Sequence, residues 1–114
     1  MRPPRQLEPP KAPYLSVDGR RLDPGNVFVP VKEGAELSLW CTVDGGHPAP
    51  TLSWLLDSAA LDATRLDAPA QRHWRAEARL GPVLRDHHNA TVTCLVSHVT
   101  LAAPLNVSLL LDVQ

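Results

Sequence analysis

The chain has only two cysteines, Cys41 and Cys94, with Trp54 between them. Trp54 follows Cys41 by 13 residues and precedes Cys94 by 40. No other feature constrains the fold as much. Two cysteines alone cannot make a four-ligand zinc site, and their separation is too long for a redox pair of the C-x-x-C kind. A single long-range disulfide is the natural reading. Two free buried cysteines in some other β-fold are the alternative. Closing a loop of this length would stabilise the fold by about 4 kcal/mol in the chain-entropy model.

The residues around the triplet alternate. Leu37, Leu39, Cys41 and Val43 interleave with Glu36, Ser38, Trp40 and Thr42. Leu52, Trp54 and Leu56 share one parity, with Ser53 and Leu55 on the other. Val92, Cys94 and Val96 repeat the pattern, as do Leu105, Val107, Leu109, Leu111 and Val113. A period of two places one set on a core and the other outside. Both cysteines and the tryptophan fall on the inward parity. Tyr14–Val17 and Asn26–Val31 are further β-prone runs, and Pro30 suits an edge or bulge in the second. Gly81-Pro82 should end or distort a strand that begins near Ala76. Residues 57–74 read least clearly, with 58–63 either a short helical turn or an edge strand. No segment keeps a helical period and there is no internal repeat. About seven short strands separated by turns point to an all-β, two-sheet sandwich in which the cysteines face each other across the core under Trp54.

A chain of 114 residues suits one domain. Residues 1–12, with Pro3, Pro4, Pro9 and Pro10, read as a Pro-rich linker or tail, and residues 13–114 as the domain. The net charge of −1 gives no electrostatic reason to expect nucleic acid. No apolar run is long enough to span a bilayer, so a membrane would be met only through an anchor outside these residues. Met1 leads directly into Arg2-Pro3-Pro4-Arg5, and the chain reads as a piece of a longer secreted or membrane-anchored protein.

On these residues the chain resembles the immunoglobulin superfamily. The passage from Leu39 through Cys41 and Gly45–Pro50 to Trp54 is similar to constant-type domains, especially the membrane-proximal domains of T-cell costimulatory ligands. Thr93–Leu101 carries the C-x-V-x-H pattern found in antibody constant domains and in the second domains of nectins. The resemblance implies an immunoglobulin-like Greek-key sandwich with one inter-sheet disulfide. Many such domains have a tyrosine two residues before the second cysteine. Here that position is Val92, Asp86 is offset from the usual acidic position, and His88 stands in its place. The departure favours a C-type over a variable-type domain. The resemblance also implies that His98 is a structural residue at a strand end.

Asn89-Ala90-Thr91 and Asn106-Val107-Ser108 are glycosylation sequons. Chance occurrence is the alternative for each. His87 and His88 are adjacent and would face opposite sides of a strand, while His47, His73 and His98 have no ligand spacing, so no metal or other cofactor is expected. There is no G-x-S-x-G elbow, P-loop or H-E-x-x-H motif, so catalysis is not expected. The outward parity holds Leu55, Leu95 and Leu110, which adjacent strands would bring near one another as a candidate interface. Alternatively they are covered by the 57–74 segment, or scattered. Trp40 is a similar case on the other sheet, where the Trp74 region or a neighbouring domain could cover it. These features predict an extracellular recognition domain of a receptor or adhesion protein, whose partner is another immunoglobulin-type or cell-surface protein. A spacer domain in a longer ectodomain, or a secreted immune ligand or decoy, are the alternatives.

Overall fold

The computed structural model describes residues 6–24 and 27–114. In chain order the strands are β1 (Glu8–Pro10), β2 (Tyr14–Val17), β3 (Arg20–Arg21), β4 (Phe28–Val31), β5 (Leu37–His47) and β6 (Thr51–Leu56). They continue with β7 (Ala59–Leu61), β8 (Ala63–Arg65), β9 (His73–Leu80), β10 (Thr91–Ser97) and β11 (Leu105–Val113). Two short 3-10 turns, Pro69–Gln71 and Arg85–His87, flank β9.

The strands form two sheets. One runs β3-β2-β5-β9-β8, with β1 also paired to β5, and the other runs β4-β11-β10-β6-β7. Among the described residues, only β4 and β11 pair in parallel. The alternation read from the sequence selects the faces. Leu39, Cys41 and Val43 of β5 meet Trp54 of β6, Val92, Cys94 and Val96 of β10, and Leu109 and Leu111 of β11, all of them buried. Burying side chains of this size contributes about 1.5–3 kcal/mol each relative to exposure.

The Cys41–Cys94 disulfide joins the two sheets, with the Cα atoms 6.3 Å apart. Trp54 pairs directly with Cys94 on its own sheet, and Ala76 pairs with Cys41 on the other. The indole Nε1 donates to the Ala76 carbonyl at 3.0 Å, across the sandwich. Ala76 and Ala78 are completely buried. Their small side chains leave the volume that the indole and the disulfide occupy.

Elsewhere the structure resolves or departs from the sequence reading. Residues 59–61 form an edge strand on β6 and residues 63–65 pair with β9, so this segment runs along the sheet edges. Pro30 sits on the edge strand β4, where its missing N–H costs no ladder bond. Asn26 lies outside the described residues. Strand β9 ends at Leu80, and a Cβ on Gly81 would lie 2.6 Å from Glu36 Cγ and 2.9 Å from its Cα. Glu8–Pro10 is a strand paired with the far end of β5, whereas the sequence reads residues 1–12 as a linker or tail. The pairing holds because β1 has an open edge of β5 to add to, and an edge tolerates Pro9 and Pro10. Trp40 does not pack under Trp74. Trp74 is buried on the core side, its Nε1 donating to the Gly45 carbonyl at 2.7 Å, while Trp40 has the outward parity of β5.

Candidate interaction surface

The outward face of the β4-β11-β10-β6-β7 sheet carries all three candidate leucines, each half-buried. Their registers show how far apart they stand. Leu55 pairs with Thr93, Leu95 lies between Ser53 and Asn106, and Leu110 pairs with Thr91 and Phe28. Leu55 and Leu95 are therefore diagonal neighbours, within reach of one another. Leu110 is separated from them by Thr93 and Ser108, whose hydroxyls are 2.8 Å apart. At the Leu110 end stands Phe28, 56% exposed, which sequence reasoning did not single out. The run Val27-Phe28-Val29-Pro30-Val31 is apolar throughout, so it contains no alternation to reveal which side chains face out.

Both sequon asparagines are exposed. Asn89 has φ 64, a left-handed conformation that asparagine tolerates, and its N–H donates to the Leu111 carbonyl at 2.8 Å. Asn106 lies on β11 directly opposite Leu95. Among the described residues, neither side-chain amide makes a hydrogen bond within the protein.

Three of the five histidines bond to the backbone. His87 Nδ1 accepts from the Leu84 N–H at 2.8 Å, and His88 Nδ1 accepts from the Val113 N–H at 3.0 Å. The second bond ties the turn before β10 to the end of β11. His98 Nε2 lies 2.7 Å from the Pro48 carbonyl and its Nδ1 2.8 Å from Thr100 Oγ1, linking the β10–β11 turn to the β5–β6 turn. Among the described residues, no group of three or more His, Cys, Asp or Glu side chains could hold a metal ion. No helix among them is long and apolar enough to cross a membrane.

Two sheets packed face to face, joined by a single disulfide under a covering tryptophan, define an immunoglobulin-like domain. The chain belongs to the CD80-like C2-set immunoglobulin domain family, whose model matches residues 21–104. This family is non-catalytic, and its members in adhesion proteins are typically extracellular. Among solved structures, Rst D1-D2 superposes with a TM-score of 0.70 at 23% identity, over 95% of this chain and 51% of that one. The mouse nectin-like molecule 4 ectodomain, Ig1–Ig3, gives 0.71 at 23% identity, over 92% of this chain and 34% of that one. The Dscam1 Ig7 domain gives 0.52 at 18% identity, over 91% of this chain and all of that one. The chain thus spans about half of the Rst structure and a third of the nectin-like one. At these identities the likeness is one of fold. No curated protein matches the chain in sequence.

Proposed function

We propose that this chain is an extracellular recognition module that binds another cell-surface protein without catalysis, through the outward face of the β4-β11-β10-β6-β7 sheet. The observation that carries the reading is the set of apolar side chains on that face, Leu55, Leu95 and Leu110, with exposed Phe28 beside Leu110. The core is complete without them, and apolar side chains grouped on one sheet face favour a protein partner. In this reading Asn89 and Asn106 are glycan acceptors, residues 1–12 connect the domain to what precedes it, and residues 13–114 are the binding unit. A glycan on Asn106 would stand over Leu95, so at that position glycosylation and partner contact exclude each other. The form lacking the Asn106 glycan is then the one that engages its partner with Leu95.

A spacer role is favoured by one observation. Strand β1 is fixed to the end of β5 by its pairing, by the Glu8–Arg72 ion pair and by the Lys11 N–H bond to the Asp44 carbonyl at 2.8 Å. A clamped entry segment would hold a preceding domain at a set angle.

To test the recognition reading, the tetramerised domain is screened against cells that each display one ectodomain, and any binder is retested with Leu55→Glu and Leu110→Glu. We expect a binder whose affinity falls roughly thirty-fold for a contact worth about 2 kcal/mol, with the domain still folded. Binding that ignores both substitutions removes the sheet face from the account and leaves the spacer.

A further inference from the structure

The opposite sheet has a different chemistry on its outward face. Trp40 and Thr42 of β5 stand beside Glu77 and Arg75 of β9 in the ladder. The Arg75 guanidinium lies over the Trp40 ring, 5.1 Å from its centroid. Ser16, Gly19, Trp40, Thr42 and Arg75 line a recess of about 210 Å³. Leu66, whose N–H donates to the Arg75 carbonyl, is 51% exposed.

Among the described residues the Arg75 side chain makes no hydrogen bond or ion pair, and its Nε is buried without a partner. The neighbouring carboxylates are engaged elsewhere. Glu77 accepts from Ser38 Oγ at 2.6 Å and lies 3.5 Å from Arg79 Nε. Asp44 sits 2.6 Å from His73 Nδ1. Buried polar groups in folded proteins nearly always have partners, so the orphaned Arg75 Nε calls for an explanation. Stacking on an indole uses the face of the guanidinium and leaves its in-plane N–H donors available, in the fork geometry that matches a carboxylate. Arg and Trp are also the residue types that carry most binding energy at protein interfaces.

We propose that the recess beside Trp40 is a second docking site, in which Arg75 receives an Asp or Glu carboxylate from a partner protein. A sulfated glycan would meet the same cation, but this recess suits it poorly. A polyanion would have to accommodate the Glu77 carboxylate beside the guanidinium, and the other arginines of this face are placed elsewhere, Arg21 over the Tyr14 ring at 3.9 Å from its centroid and Arg79 at 3.5 Å from Glu77. A single carboxylate carried on an apolar stem fits both the charge and the Trp40–Leu66 surroundings. The site is on the other sheet from the leucines and does not depend on their reading.

The test is an NMR titration of the ¹⁵N-labelled domain with N-acetyl-glutamate methylamide and, in parallel, with its glutamine analogue. Arg79 and Arg85, with side chains 81% and 86% exposed, serve as internal controls. We expect the Arg75 Nε–Hε and Trp40 indole signals to shift saturably with the glutamate compound, at lower concentration than the signals of Arg79 and Arg85. The glutamine compound should leave them in place. Arg75→Gln should abolish the Trp40 shift while the rest of the spectrum stays dispersed. If that variant does not fold, the wild-type Arg75 signal still decides. Shifts no stronger at Arg75 than at the exposed arginines would overturn the proposal. So would tighter binding of a heparin disaccharide than of the glutamate compound.

Discussion

At Trp54 several demands meet in one side chain. Its indole fills the space left by Ala76 and Ala78, abuts Cys94 along the ladder and donates to the Ala76 carbonyl. Trp54→Ala therefore opens a cavity and removes a buried hydrogen bond, and it should cost about 3–5 kcal/mol in urea unfolding. Ala76→Leu should cost about 1–3 kcal/mol by overfilling the same space from the other sheet. A cost as small as that of a surface substitution at either position would show that the indole seat is not a tight fit. The inward parity of Trp54, Leu39, Val92 and Val96 was legible because each lies in an alternating run. Arg75 was not legible, since a charged residue at an outward position looks the same whether or not it has a partner. The substitute for the missing tyrosine was half legible. The sequence shows that Val92 replaces it, but only coordinates show that His88 Nδ1 accepts from Val113, 25 positions away. His88→Ala should cost about 1 kcal/mol by removing that bond.

Whole strands depend on neighbours that sequence does not display. The alternating strands β5, β6, β10 and β11 were legible because each has one wet face and one dry face. The short strands β7 and β8 were not, because a strand of three residues carries too little pattern to separate from a turn. Strand β1 is the sharpest case. Pro9 and Pro10 read as linker, yet the segment adds to the exposed end of β5, and Gly46 makes the close approach possible. A Cβ on Gly46, at φ +102, would lie 3.3 Å from Pro50 Cδ and 3.4 Å from Pro10 Cβ. Removing residues 1–10 should speed amide hydrogen exchange at the Gly45–His47 end of β5 while leaving Leu37–Cys41 protected. Unchanged exchange at Gly45–His47 would mean that β1 contributes nothing to the end of β5. The ion pair of Glu8 with Arg72 is half-exposed and adds little by itself, because surface pairs are worth at most about 1 kcal/mol.

For the molecule as a whole, the disulfide and the filled core make a two-layer slab with two outer faces. One carries leucines, Phe28 and a sequon, and the other an arginine stacked on tryptophan. The immunoglobulin-like fold was legible from three residues and their spacing, whereas what each face does depends on how registers set side chains next to one another. In the proposed reading, the register of Asn106 against Leu95 would put a glycan and a contact in competition, which neither the sequon nor the leucine discloses alone. The most direct test of the central claim is the affinity of a Leu95→Glu/Leu110→Glu double variant for the ectodomain that binds the wild-type domain, using material in which the Cys41–Cys94 bridge is intact. The account predicts a loss of roughly thirty-fold or more with unchanged thermal stability. Wild-type affinity in the folded double variant would contradict it.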